Sequence, residues 1–534
     1  VGRDLRALGP RMTMQPGPDG LRVPIATPEY GAASWLAKRA WLHSGREALV
    51  EGTRSYTYGE LDTRVTRLAN VLRDTFGVGR MDRVATLTAN CTEFVELFFA
   101  TARIGALLAP LNWRLAPTEL DYQLSDSGAA VLFIGEEHRE LAAKLKINPA
   151  KGVVRIGQEY EQLIASSSAD AVPIDAQARF SDPHLILYTA GTTGHPKGAV
   201  LTHANVFWNI QNVSAPAGLG PDDTTISLLP FFHSGGIGLY LIPTLYVGGR
   251  VAIMRTFDPD VLLDLVARFG VRVIFGVPAI WLELLKRPDF DRAHFPTVTY
   301  CISGGAPHPM AVMEAVAQRG FGFLQGYGLT ETSPGGTLMP VDDWRRKLAT
   351  AGKPFLHVEM RVVDDDGKPR PPDEIGEVQF RGPNVFAGYW RRPDATADAF
   401  TKDGWFKTGD LGRLDDEGFL TLVDRQKDMV ISGGENVYSA EVEDVLFAHP
   451  AVAEAAIIGV ADERWGEAVC AVVALRPNAS ASAEEVIAFC RTRLAKFKTP
   501  KTVVFVNALP RNAAGKVLKR QLREEVRSRE QIKT

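Results

Sequence analysis

Short apolar runs recur along the chain, and several of them end in loops rich in glycine and threonine before a stretch with helical spacing begins. Residues 185–188 form such a run, and residues 204–211 beyond the loop read as helix. The pattern returns with residues 298–302 as strand, 310–317 as helix and 321–324 as strand. Strand, loop and helix in succession predict α/β layers with parallel strands. After Asp424 the elements become shorter and the surface more charged. Ser482 and Glu485 have the spacing of a capping box, and Val486, Ile487, Phe489, Cys490 and Leu494 then fall on one helix face. The chain is therefore read as α/β, with a large N-terminal domain of layered subdomains (1–426) and a small α+β C-terminal domain (427–534) of roughly 100 residues, a size within the usual range for a domain.

Two domains also suit the 534 residues, which exceed what one hydrophobic core organises. A net charge of -3 supplies no basic field for nucleic acid, so any phosphate chemistry has to be built from loops and single side chains. Cys91, Cys301, Cys470 and Cys490 are far apart and form no CxxC pair, as expected of reduced, buried thiols in a cytoplasmic protein. No apolar run approaches the roughly 20 residues of a membrane span; the longest candidate, 235–248, is interrupted by Pro243. The first residues lack the apolar core of a signal peptide, although a start on Val1 leaves Met12 or Met14 as a natural beginning.

Candidate chemistry sits in the loops. Segment 188–198, YTAGTTGHPKG, combines three glycines, three threonines and Lys197 after a strand. Glycines let backbone amides approach an anion, hydroxyls donate to phosphate oxygens and the lysine adds charge. The segment reads either as a phosphate cradle or as a flexible loop; it is not a Walker loop, because Gly198 follows the lysine where that motif needs Ser or Thr. Segment 325–332, QGYGLTET, offers an aromatic face in Tyr327, a hydroxyl in Thr330 and a hard oxygen ligand in Glu331. These parts suit a purine, a phosphate and a magnesium ion.

With these segments in order, the sequence resembles the adenylate-forming superfamily of acyl-CoA synthetases, peptide-synthetase adenylation domains and beetle luciferases, from about residue 28 to about 522. Further segments carry the resemblance: 404–412 with Asp410, the hinge-like stretch 424–443, and 509–516. The resemblance implies an enzyme of the adenylate-forming fold, with a mobile small domain, that uses ATP and Mg2+ to form an acyl-adenylate and passes the acyl group to coenzyme A. Transfer to a separate carrier protein is the alternative, and a monomer or homodimer is expected. It implies nucleotide contacts from Thr189, Gly191, Thr192, Thr193, Gly194 and Lys197, from Gly304, Gly305 and Ala306, and from Gly326, Tyr327 and Gly328. Asp410 would accept the ribose hydroxyls beside Arg425, Glu331 would hold magnesium with Thr330 on the phosphates, and Lys516 would bridge carboxylate and nucleotide. Lys427 would be the hinge; Gly433, Gly434, Trp465, Phe497 and Lys498 would meet CoA. Ala190 and Ser439 depart from the family's usual serine and proline.

His233, in the segment PFFHSGG at 230–236, resembles the gate beside the acyl site. No aspartate near it is available to pair an ammonium, which disfavours amino acids. Ser234, Gly235, Gly236 and Gly304 leave depth, while Ile237, Phe275 and Leu329 are expected to supply apolar walls. An apolar acid is expected, whether fatty, cyclic or aromatic.

Overall fold

The computed structural model describes residues 14–16, 22–24, 31–172, 178–189, 196–305, 310–432, 435–462, 465–511 and 517–531. Five strands run parallel in a central sheet, from Gly152–Arg155 at one edge through Val131–Ile134, Arg83–Leu87 and Leu107–Pro110 to Pro183–Thr189. The four strands inside the Gly152–Arg155 edge are mostly apolar and buried, as a parallel sheet covered on both faces requires, while the edge strand itself is partly exposed.

The sheet then changes sense. Lys197–Thr202 pairs antiparallel with Pro183–Thr189, and Gly388–Tyr389 pairs antiparallel with Lys197–Thr202. The glycine- and threonine-rich segment thus joins two antiparallel strands, and the expected passage from strand through loop to helix contains an extra strand. Only then does the helix His203–Ser214 begin, with the Thr202 hydroxyl accepting from the Asn205 amide at 3.1 Å and the Asn205 side chain accepting from the Thr202 amide at 2.9 Å.

A second sheet holds Val273–Gly276, Tyr300–Ser303 and Gly322–Tyr327 in parallel, the last strand being followed by two short antiparallel ones, Thr337–Leu338 and Lys353–Pro354. An antiparallel meander follows, Glu359–Val363, Gly376–Arg381, Phe406–Leu414 and Leu420–Arg425. The layered α/β class is as expected, with this all-antiparallel sheet as an addition.

After Arg425 the chain builds a sheet and an apolar core of its own. Long strands Val452–Asp462 and Gly466–Leu475 pair antiparallel, and Val430, Val442, Ile457, Val469 and Val486 pack together against them. The Ser482 capping box forms, and of the face it introduces Val486 and Cys490 are buried. All four cysteines are buried, and none forms a disulfide among the described residues. Among the described residues no helix is long and apolar enough to cross a membrane.

Candidate active site

A cavity of about 430 Å3 is lined by loops and strand ends from several stretches of chain, three of which carry candidate residues. Gly304 and Gly305 follow the strand Tyr300–Ser303; Gly326, Tyr327 and Gly328 end the strand Gly322–Tyr327; His233 and Ser234 lie just before a helical segment, Gly236–Leu241. Two of the glycines are there because backbone comes too close for a side chain. A Cβ on Gly328 would lie 1.7 Å from the Pro334 carbonyl oxygen, and one on Gly304 would lie 2.8 Å from that of Gly326. Asn209 spans the gap behind them, donating to the Gly238 carbonyl at 2.7 Å and accepting from the Gly335 amide at 3.1 Å, so the two walls are held in register.

Tyr327, in the cavity wall, leads into a tightly paired polar group. The Tyr327 hydroxyl donates to Asp410 Oδ2 at 2.6 Å, and Arg425 Nε lies 3.1 Å from Asp410 Oδ1. Asp410 and Arg425 are cross-strand partners in the meander, so sheet register brings together residues fifteen positions apart in sequence. Burial, reinforced by the Asp410 charge, pushes the Tyr327 phenol far up, so it stays a donor at any working pH. Nearby, Glu331 is buried and accepts from the Tyr389 hydroxyl at 2.8 Å. Burial pushes its carboxyl up from the usual range, opposed by that hydrogen bond. A buried carboxylate with one side-chain donor favours a cation on its remaining oxygen, which fits a magnesium ligand.

Tyr389 escaped the sequence reading. Its ring lies 5.1 Å from Lys197 Nζ, so it connects the lysine beside the glycine-rich segment to Glu331. The signal lay in the pairing of Gly388–Tyr389 with Lys197–Thr202, which no local pattern announces.

The rest of the cavity wall is largely apolar, with Leu228, Tyr240, Phe275, Ile302, Leu338 and Phe355 among others. Phe275 and Leu329 stand in the wall as expected. Ile237 does not: it is 2% exposed and packs into the main N-terminal core. The wide-turned helix Gly236–Leu241 carries Ile237 inward, and Leu239 and Tyr240 face the cavity instead. His233 lines the cavity as well. Burial, then the charge of Arg114, lowers its pKa to about 4, and its buried Nε2 has no hydrogen-bond partner among the described residues. Ser234 donates to the Thr330 hydroxyl at 3.3 Å, joining the gate segment to the Glu331 turn.

The remaining residues divide by position. Thr189 is described and its hydroxyl donates to the Lys197 carbonyl at 3.3 Å; Ala190, Gly191, Thr192, Thr193, Gly194, Ala306, Gly433, Gly434 and Lys516 lie outside the described residues. Lys427 is exposed two residues after Arg425. Lys498 is held by both oxygens of Glu441 at 2.7 Å and lies 5.7 Å from the Phe497 ring, while Trp465 sits 5.8 Å from Lys501 Nζ. Ser439, the departure from proline, uses what proline lacks: its amide and its hydroxyl both donate to Asp424, tying the small domain's first helix to the last strand of the meander.

Residues 36–390 match the family model described as AMP-binding enzyme, and residues 441–516 that described as AMP-binding enzyme C-terminal domain. The chain is 41% identical over 494 residues to a feruloyl-CoA synthase of Amycolatopsis sp, covering 92% of this chain and 98% of that protein. It is 38% identical over 505 residues to an indoleacetate–CoA ligase of Aromatoleum aromaticum, with coverages of 92% and 98%. Among solved structures, O-succinylbenzoate coenzyme A synthetase (MenE) from Bacillus subtilis, in complex with ATP and magnesium ion, matches with a TM-score of 0.82 at 33% identity, covering 91% of this chain and 98% of that one.

Proposed function

The chain belongs to the AMP-binding enzyme family, and from that premise we propose that it adenylates an apolar, ring-bearing carboxylic acid in the cavity beside Tyr327 and His233. Its activity is that of an AMP-forming acid–CoA ligase: the acid attacks ATP with release of pyrophosphate, and the thiol of coenzyme A then displaces AMP. Its relatives are a CoA synthase and a CoA ligase, so coenzyme A takes the place of the carrier protein as acceptor.

The observation that carries the reading is the joining of two unlike ends in one site. At the polar end Asp410, braced by Arg425 and Tyr327, offers a carboxylate that accepts both hydroxyls of a ribose. The Tyr327 ring stands beside Gly304 and Gly305, where an adenine fits between ring and backbone. Glu331 would hold magnesium, with Thr330 beside it; when bound, that ion screens the charge of the leaving pyrophosphate. Lys197 adds positive charge next to the same phosphates. Bringing a carboxylate to an anion requires such screening, since unit charges about 4 Å apart interact by roughly 4 kcal/mol at an effective dielectric of about 20. Lys516, read from sequence, is assigned the contact between carboxylate and nucleotide.

Phe275, Phe355 and Tyr240 line the apolar end, and aromatic walls favour a flat ring over a flexible chain. Two of the relatives are named for acids that carry an aromatic ring, which supports the same choice, while one of 38% identity is named for long-chain fatty acids and sets the straight-chain arm of the test. For the thiol step, residues 427–534 are read as a mobile domain turning about Lys427, with Trp465, Phe497 and Lys498 toward CoA. Buried thiols outside any disulfide suit a reducing compartment, and we place the enzyme in the cytoplasm.

Acid-dependent ATP–pyrophosphate exchange tests this, run on a panel of ring-bearing and straight-chain acids and followed by thioester assay with CoA. Ring-bearing acids are expected to give the highest kcat/KM. Highest values for long straight-chain acids would overturn the ring assignment, and exchange that ignores the acid would overturn the adenylation itself.

A further inference from the structure

We propose that the acid carries an oxygen substituent on its ring, and that the Tyr240 hydroxyl is the group that recognises it. This rests on the ring-acid reading of the cavity and makes its substrate class narrower.

Tyr58, Tyr160 and Tyr240 are the deeply buried tyrosines among the described residues, at 0%, 1% and 7% exposure. Two of them have their hydroxyls satisfied. Tyr58 donates to the Gly249 carbonyl at 2.6 Å, and Tyr160 donates to Glu96. Tyr240 differs. Its hydroxyl makes no hydrogen bond among the described residues, and its ring belongs to an apolar and aromatic cluster of Val273, Phe275, Ile302, Leu324, Met339, Trp344 and Phe419. Burial alone raises its phenol, with no neighbouring charge contributing.

The Tyr240 hydroxyl is not sealed in the core but open to the cavity, whereas a sealed core position of this shape is filled equally well by phenylalanine. Tyr240 is no such core residue, because it lines the cavity. Its backbone is fixed from behind: Thr225 Oγ1 donates to the Tyr240 carbonyl at 3.2 Å, and Thr244 supports Thr225 at 2.8 Å. The ring lies 5.9 Å from that of Phe275, so one wall offers an aromatic face and a hydrogen-bonding tip together. Of the other polar side chains in the wall, Ser234 and Thr330 are hydrogen-bonded to each other, and Asn90, Arg114, Arg255 and Thr256 line the cavity as well. A ring whose carboxylate points toward Thr330 therefore meets Tyr240 through another of its atoms. The matching ligand is a ring bearing a hydroxyl, ether or carbonyl oxygen, which pairs with the phenol; a plain ring leaves it unpaired.

The test compares Tyr240→Phe with the unaltered enzyme on paired acids, cinnamate against its 3-hydroxy, 4-hydroxy and 4-methoxy derivatives, and phenylacetate against the same derivatives. The readout is the ratio of kcat/KM between oxygenated and plain acid, taken on one preparation so that loss of folded protein cancels. The unaltered enzyme is expected to prefer at least one oxygenated acid, and Tyr240→Phe to lower that ratio about tenfold, through KM for the acid, with KM for ATP unmoved. A ratio that Tyr240→Phe leaves within twofold, while ring acids are still adenylated, overturns the Tyr240 assignment and leaves the ring reading standing. Failure to adenylate any ring acid alongside turnover of straight-chain acids overturns both.

Discussion

The two ends of the site are built on opposite plans. At the nucleotide end each polar group is held before any ligand arrives: Asp410 by Tyr327 and Arg425, Glu331 by Tyr389. At the acyl end the walls are largely apolar, and two of the polar atoms in them, His233 Nε2 and the Tyr240 hydroxyl, make no hydrogen bond among the described residues. The first plan suits a ligand that never changes, because preorganised dipoles cost nothing to reorient at the moment of reaction. The second suits selection among acids, because contact area and one or two hydrogen bonds decide between candidates.

The contrast breaks most visibly at Asp410. Its carboxylate is assigned two ribose hydrogen bonds, each worth about 1.5–3 kcal/mol to a charged acceptor, so Asp410→Ala is expected to lower kcat/KM for ATP about 1,000-fold. KM for the acid should change little. An equal loss for both substrates in steady-state kinetics would mean that the two ends are not separable.

Glu331→Gln comes next. The shape is kept and the charge removed, and about a 100-fold fall in the rate of pyrophosphate exchange is expected. Raising magnesium should not restore the rate, since a neutral amide is a poor ligand for a hard cation. Full recovery at high magnesium would assign the ion to other residues.

The same contrast explains what the sequence showed and what it hid. The nucleotide end was legible because its groups lie in contiguous loops after strands, where glycines and hydroxyls mark the chemistry: 188–198, 325–332 and 404–412. Even there Tyr389 stayed hidden, because it reaches Glu331 through a strand pairing across nearly two hundred residues. The strand Lys197–Thr202 was missed for a related reason: its flanking glycines read as loop. The acyl end is assembled from single residues on five or more segments, so local pattern had little to work on. Ile237 was placed in the wall because it follows His233, but the wide turn of Gly236–Leu241 shifts the phase and sends it to the core. The small domain was easier, because the Ser482 box and the apolar face after it are purely local.

Phe275 and Ile237 turn that correction into a measurement. Phe275→Leu removes an aromatic wall and is expected to raise KM for ring acids several-fold, up to about tenfold, with KM for ATP unchanged. Ile237→Val should leave KM for every acid within twofold and instead lower the free energy of unfolding by about 1 kcal/mol, the usual loss for one buried methylene. If Ile237→Val altered acid preference more than Phe275→Leu, the assignment of wall and core would be reversed.

The smallest effect expected is a flat profile, and it concerns His233. An unperturbed imidazole titrates near pH 6.5, but burial, with Arg114 adding to it, lowers that of His233 to about 4. The folded protein therefore binds fewer protons at this site than the unfolded chain between pH 6.5 and 4. Stability from this group is fully present above pH 6.5 and is lost as the pH falls toward 4. The imidazole that faces the acid is neutral across the range where adenylation is assayed, so it neither attracts the carboxylate by charge nor titrates. Acid-dependent pyrophosphate exchange should then vary less than twofold between pH 6 and 8 on account of this residue, and His233→Phe should leave the shape of the profile unchanged while altering its height. An inflection near pH 6.5 that disappears in His233→Phe would show the imidazole charging in the working enzyme, and the acyl end would then carry a switchable cation that its apolar walls do not suggest.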